Sequence, residues 1–235
     1  MASLAPAPIT NRLLDRLPAR DRAQVLGSCE KVALFFPEIL AEPGDPVRHI
    51  YFPTGSCISL LTPIGAKSTV EVALVGSEGV YGVPVALGVG FSPIRAQVQG
   101  SGPAWRMSAP VFRRELERVP NLRRCIDRYI FVLISQVSQT AGCNTSHRTQ
   151  QRLARCMLKT ADRAHSSTFR ITHEFLACML GVRREAITQA AGALQRRKLI
   201  SYGRGLITIL DRKGLERASC PCYHSDLSTY QRIFR

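Results

Sequence analysis

Between Ile171 and Leu210, the residues Ala177, Gly181 and Ile187 stand four and six positions apart, and this triplet restricts the fold more than any other feature of the chain. A small residue lets two helices cross closely, a glycine can carry the turn between them, and a branched apolar residue fills the core they share. Thr172 can cap a first helix through Phe175, Leu176, Met179 and Leu180, and a second helix is expected from near Arg183 to about Arg197. Turning Val182, Ile187, Ala190, Ala191 and Leu194 inward leaves Arg183, Arg184, Glu185, Thr188 and Gln189 on the outer face. Arginine can hold guanine bidentately, glutamate can accept from cytosine and glutamine can pair with adenine, so this face suits base edges in a major groove. Leu199–Tyr202 and Leu206–Leu210 flank Gly203-Arg204-Gly205, the pattern of a hairpin wing whose tip offers Arg204 to a phosphate.

Helix pairs joined by a glycine turn also occur where no DNA is bound, so the distribution of charge matters. The 235 residues carry a net charge of +15. Residues 1–110 hold 9 basic and 8 acidic side chains, residues 111–235 hold 23 and 9, and the stretch 144–217 alone holds 15 and 5. A near-neutral half joined to a strongly basic half predicts one part that senses or assembles and another that meets a polyanion.

The near-neutral half reads as β-structure. From Ile39 onward, short runs rich in Val, Ile, Leu, Tyr and Phe are cut by Pro43-Gly44-Asp45-Pro46, Pro53-Thr54-Gly55, Pro63-Ile64-Gly65, Gly76-Ser77-Glu78-Gly79 and Gly100-Ser101-Gly102-Pro103, a spacing that favours a sandwich or barrel. Asn11–Leu26 is expected to form short helices against it. After Trp105 the period becomes helical. Ser108 can cap a short helix over Val111, Phe112 and Leu116, and Pro120 can open a longer one. Val119, Leu122, Ile126, Tyr129, Leu133, Gln136 and Thr140 then follow a three-four spacing, read as a dimer seam, with Leu122, Ile126, Tyr129, Leu133 and Gln136 as its interface. Ile130, Phe131, Val132, Ile134 and Val137 widen the stripe toward the chain's own barrel. Gly142-Cys143-Asn144-Thr145 is expected to be a hinge, followed by a basic helix over Ser146–Arg163 with Leu153, Cys156, Met157 and Thr160 on one face.

The segment FLACMLGVRREAITQAAGALQRRKLISYGRGLITILDRKGL resembles the family of bacterial regulators that includes the cyclic-AMP receptor protein and the fumarate-nitrate regulator. The resemblance continues more weakly through EPGDPVRHIYFPTGSCISLL and GSEGVYGVP. It implies an α+β chain: an N-terminal double-stranded β-helix barrel of the cyclic-nucleotide-binding type, a long dimerisation helix and a C-terminal winged helix-turn-helix on a palindromic operator. The corresponding divisions are a sensor barrel with N-terminal helices at 1–110, the dimer helix and hinge at 111–143, the winged helix at 144–217 and a tail at 218–235. Double-stranded DNA and a second copy of the chain are the implied partners, with RNA polymerase a candidate. Arg184 and Glu185 match the pair that reads bases in that family, whereas Gln189 stands where a later Arg is usual. Gly76, Gly79 and Gly82 keep the turn of the family's nucleotide pocket, but Val83 occupies the place of the ribose-binding Glu, and Arg95 is followed by Ala96. An effector pocket at Gly79, Gly82 and Arg95 is therefore expected to be altered, with Arg95 at the surface or in a salt bridge. Cyclic AMP is not the expected effector.

Eight scattered Cys lack the spacing of a disulfide framework. The family's iron-sulfur members resemble a Cys cluster near the N-terminus, where this chain has only Cys29. Cys220-Pro-Cys222 with His224 could join a metal or act as a thiol switch, leaving a redox- or metal-responsive regulator as the alternative, although a tail with no site is the simpler expectation. His173 is a candidate phosphate contact. Arg12 is the first positive charge and follows Pro6 and Pro8, unlike a signal peptide, and the uncharged stretches Gly79–Ile94 and Tyr129–His147 are too polar or broken to span a membrane; a cytoplasmic protein is expected. Neither a phosphate loop, a His-Glu-x-x-His pair nor a Gly-x-Ser-x-Gly elbow occurs, and the first half has a single His, His49, where a cupin-like metalloenzyme would need a cluster. No catalytic residue, metal or cofactor is assigned.

Overall fold

The computed structural model describes residues 10–65 and 68–235; Pro6, Pro8 and the start of the expected 1–110 unit lie outside the described residues. Seven strands build the first half: β1 (Glu30–Leu34), β2 (Ile39–Ala41), β3 (His49–Pro53), β4 (Cys57–Ile64), β5 (Ser68–Val75), β6 (Arg95–Gly100) and β7 (Gly102–Ser108). They form two antiparallel sheets in the orders β1-β7-β3 and β2-β6-β4-β5. Ile50, Phe52, Ile58, Val75 and Val98 are buried in the core of this barrel. Pairing begins earlier than the apolar runs suggest, because β1 opens with Glu30 and Lys31. Both charges are accommodated at the surface, Glu30 by Arg106 at 2.8 Å and Lys31 over the Trp105 ring at 5.1 Å.

A 3-10 turn at Leu14–Arg16 and helix α1 (Ala19–Gly27) bury Leu13, Leu14, Leu17 and Val25 against the barrel. Asn11 fastens this turn, donating to the carbonyls of Pro53 and Gly79, both at 2.9 Å, while its side-chain oxygen accepts from the N–H groups of Leu13 and Leu14. A short helix α2 (Val83–Ala86) crosses between strands, and α3 (Ala109–Arg118) follows the barrel. The Ser108 side chain makes no capping bond to α3; the Ala109 N–H is satisfied instead by the Arg48 carbonyl at 2.8 Å.

Helix α4 (Pro120–Ser146) starts at the expected proline but runs unbroken through Gly142–Thr145, so the expected hinge is displaced to His147 and Arg148, which are extended. The faces of α4 also divide differently from the sequence reading, although Val132, expected toward the barrel, is buried in its core. Leu122, Ile126 and Tyr129 have no exposed surface and Gln136 is 4% exposed, all covered by the chain's own barrel and its C-terminal helix, and Leu133 is half-buried. Leu122, Ile126, Tyr129 and Gln136 are thus spent inside the chain, while Leu133 keeps part of its surface. Phe131, Ile134 and Val137, assigned to the barrel side, are exposed.

The second half comprises α5 (Thr149–Ala164), β8 (Thr168–Arg170), α6 (His173–Leu180), α7 (Arg184–Arg196), β9 (Ile200–Gly203), β10 (Leu206–Ile209), α8 (Arg212–Ala218) and α9 (Cys222–Ile233). Leu153, Met157, Leu176, Ile187, Leu194, Ile207 and Leu215 form its core. Strand β8, unforeseen in the sequence, completes a sheet of order β8-β10-β9. The expected tail is a structural element: Tyr230 on α9 and Phe234 just beyond it are buried in the barrel's core cluster, with Arg16 donating to the Phe234 carbonyl.

Candidate nucleic-acid interface

The two helices that follow β8 are fixed by local chemistry. The Thr172 hydroxyl oxygen accepts from the Phe175 N–H at 3.1 Å, capping α6, and Gly181 ends the helix in the left-handed region at φ +61°. Only there does the turn need a glycine's freedom. Helix α7 then buries Ile187, Ala190, Ala191 and Leu194, while Arg183, Arg184, Glu185, Thr188 and Gln189 are all exposed along its first two turns. The wing turns at Arg204 (φ +49°) and Gly205 (φ +74°), two successive left-handed residues, as a two-residue hairpin requires. Arg204 is exposed at the tip, and Thr172 is exposed at the N-terminal end of α6.

His173 is not free to face a phosphate. Its ring stacks on Tyr202, with centroids 4.4 Å apart, and its Nδ1 lies 3.1 Å from the Thr188 hydroxyl, which also donates to the Arg184 carbonyl. Burial, and secondarily the charge of Arg184, holds the imidazole below its ordinary pKa. His173 therefore serves the packing of α6 against the wing and α7.

Much of the basic charge of α5 faces the interior. Arg155, Lys159 and Arg163, spaced one helical turn apart, are buried. Arg163 pairs with Glu78 at 2.8 Å and donates to the Leu74 carbonyl, and Arg155 pairs with Asp226 of α9 at 2.6 Å. Burial, followed by the charges of Arg155 and Arg163, lowers the pKa of Lys159; burial raises that of Glu71 on β5, which accepts from Ser59 at 2.7 Å. Gln99 of the barrel donates to Thr160 at 3.1 Å, and Phe36 meets Phe175 edge-on at 5.7 Å. The winged domain is thus docked on the barrel by paired charges and two aromatic rings.

The glycines expected to cradle an effector are spent on packing. A side chain at Gly79 would run into the Tyr129 ring and hydroxyl, and one at Gly82, whose φ is +105°, would meet Ile50. Arg95 points instead to Glu42, at 2.9 Å, as the loss of the neighbouring phosphate-binding residue suggested. Gly79 and Gly82 thus pack against side chains of the chain itself, and Arg95 pairs with Glu42. In the barrel, His49 lies edge-on to Tyr51.

Cys220 and Cys222 also have other neighbours than expected. His224 is exposed, whereas the two thiols are buried beside Cys143 and His147 at the end of α4. Sequence reasoning missed this grouping because more than seventy residues separate its halves; the four-residue step from Cys143 to His147 was the available signal.

Residues 151–218 match the model of the Crp-like helix-turn-helix domain. No curated protein sequence matches the chain. Among solved structures, FixK2 from Bradyrhizobium japonicum superposes with a TM-score of 0.69 at 11% identity, covering 82% of this chain and 98% of that one. The c-di-GMP-responsive global regulator CLP of Xanthomonas campestris gives 0.66 at 13% identity, over 82% and 99% of the two chains. A CRP-family transcriptional regulator from Thermus thermophilus gives 0.66 at 17%, over 80% and 96%. Among the described residues no helix is long and apolar enough to cross a membrane. The chain carries a Crp-like helix-turn-helix domain within the fold shared by solved transcriptional regulators of the Crp/Fnr family.

Proposed function

We propose that the protein is a cytoplasmic, homodimeric transcription regulator that reads a two-fold symmetric DNA site with α7. The observation that carries this reading is the division of α7: Ile187, Ala190, Ala191 and Leu194 are buried, while Arg183, Arg184, Glu185, Thr188 and Gln189 form a continuous exposed polar face beside the Arg204 wing. Arg184 and Glu185 read bases directly, Gln189 selects a base by its amide, and Arg183, Thr172 and Arg204 hold phosphates. The dimer forms through the outer face of α4, where half-buried Ile130 and exposed Ile134, Val137 and Ala141 repeat at four- and three-residue steps. RNA polymerase is the partner such a regulator would meet at a promoter. The signal that modulates it acts through the barrel but not through a cyclic-nucleotide pocket of the familiar kind, since Gly79 and Gly82 are filled by the chain itself.

Selection of random duplex DNA by the purified chain, followed by binding across a salt series, tests this. Enrichment of a two-fold symmetric site is expected, with half-sites about one helical turn apart. Ile134→Glu should retain the fold but reduce binding to single half-sites. Absence of any enriched sequence, alone and with cell extract added, would overturn the assignment.

A further inference from the structure

Three buried thiols and an imidazole converge where the long helix ends and the C-terminal helix begins. Cys143 lies on the last turn of α4, His147 immediately follows it, and Cys220 and Cys222 bracket the turn into α9. The Sγ atoms of Cys143 and Cys220 are 3.5 Å apart, Cys222 Sγ lies 3.7 Å from His147 Nδ1, and all four ligand atoms lie within 4.8 Å of one another. A tetrahedral zinc site with Zn–S near 2.3 Å and Zn–N near 2.0 Å has S···S edges of about 3.8 Å and S···N edges of about 3.6 Å. The Cys143–Cys220 and Cys222–His147 separations lie close to those edges, the remaining pairs are within an ångström or so of them, and the donor set, three sulfurs and one nitrogen, is that of a closed structural zinc site.

The surroundings supply what such a site needs. Gln139 donates its amide to Cys222 Sγ at 3.0 Å and is itself oriented by Ser225, whose hydroxyl donates to the Gln139 side-chain oxygen at 3.1 Å. Three thiolates and a neutral imidazole around a divalent cation leave a net negative charge. Arg152 and Arg155 line the same small cavity as Cys143, and the Arg155 Nε–H is buried with no hydrogen-bond partner among the described residues. Arg155 also pairs with Asp226 and Arg152 donates to Asn144, but a plain apolar packing cluster does not explain the amide aimed at sulfur.

We propose that Cys143, His147, Cys220 and Cys222 bind one zinc-class divalent cation, which ties the end of the long helix and the interdomain connection to the start of the C-terminal helix. Binding releases the thiol protons to solvent and changes no oxidation state. The full chain, purified under reducing conditions without chelator, should contain stoichiometric zinc by elemental analysis. After chelation, titration with cobalt(II) should give the intense visible bands of tetrahedral thiolate coordination. Cys143→Ser or Cys222→Ser should remove about a third of the thiolate-to-cobalt charge-transfer intensity and weaken retention at least tenfold. Cys178→Ser, outside the cluster, should leave both readouts unchanged. His147→Cys keeps four ligands and should retain metal with added charge-transfer intensity, which guards against variants that merely unfold. Metal-free protein whose reduced form gives no tetrahedral cobalt spectrum would overturn the proposal, as would a Cys143–Cys220 disulfide forming readily while cobalt is bound elsewhere.

Discussion

Helices α5 and α7 are both rich in arginine, yet their charges have opposite fates. On α5, Arg155 and Arg163 are buried against Asp226 and Glu78, and Lys159 is buried between them; at the start of α7, Arg183 and Arg184 stand in solvent. Net charge therefore overstates the DNA-facing surface of the second half. What separates the two helices is whether carboxylates were placed opposite them, and Glu78 and Asp226 lie far from α5 in sequence. A basic stretch marks a polyanion site only where its counter-charges are missing from the fold.

The contrast is broken most severely at Glu78. Glu78→Gln leaves the Arg163 guanidinium buried without its carboxylate and should lower stability by about 3 kcal/mol, a fall in Tm of about 6–12 °C by calorimetry. The double variant Glu78→Gln with Arg163→Met should recover most of that loss, and neither should alter which DNA sequence is selected. Replacing Arg184 and Glu185 together by Ala should do the reverse. The fold is expected to persist, while discrimination falls by about 1–3 kcal/mol for each base that is no longer read, measured by competition between the selected site and point-mutated duplexes. Retained preference would refute the role given to α7. Arg204→Gly removes a charge at a position whose φ of +49° suits glycine, so stability should hold or rise. Its binding should weaken evenly across sequences, and the slope of log K against log salt should shrink by about one.

The smallest effect concerns His173. Its pKa is depressed in the fold, first by burial and then by Arg184, so the neutral ring contributes stability that is present above the ordinary value of 6.5 and is lost as pH falls through the depressed one. NMR titration should place the midpoint below 6.5, and Arg184→Ala should move it upward. An unshifted midpoint would mean that the stack on Tyr202 is open in solution.

The helix-turn-helix and wing were legible because their determinants are local: a capping Thr172, a turn at Gly181, and Arg204-Gly205 between two apolar runs. The barrel was legible as a class from its turn residues, though β1 was hidden by its charged first residues. Helix α4 was legible as a helix but not in its orientation. It carries two adjoining apolar stripes, one through Leu122, Ile126 and Tyr129 and one through Ile130, Ile134 and Val137, and periodicity cannot say which the barrel covers. The same lack of long-range information hid the filling of the Gly79 turn by Tyr129 and the meeting of Cys143 with Cys220.

The return of α9 to the barrel has a consequence for synthesis. Tyr230 and Phe234 leave the ribosome after the whole winged domain, yet they complete the core of the domain translated first. Until they arrive, the core cluster to which they belong is incomplete, so the barrel cannot finish folding in the usual N-terminal-first order. Nascent chains halted before residue 222 should expose apolar surface that the released chain conceals, and the two halves are best understood as maturing together.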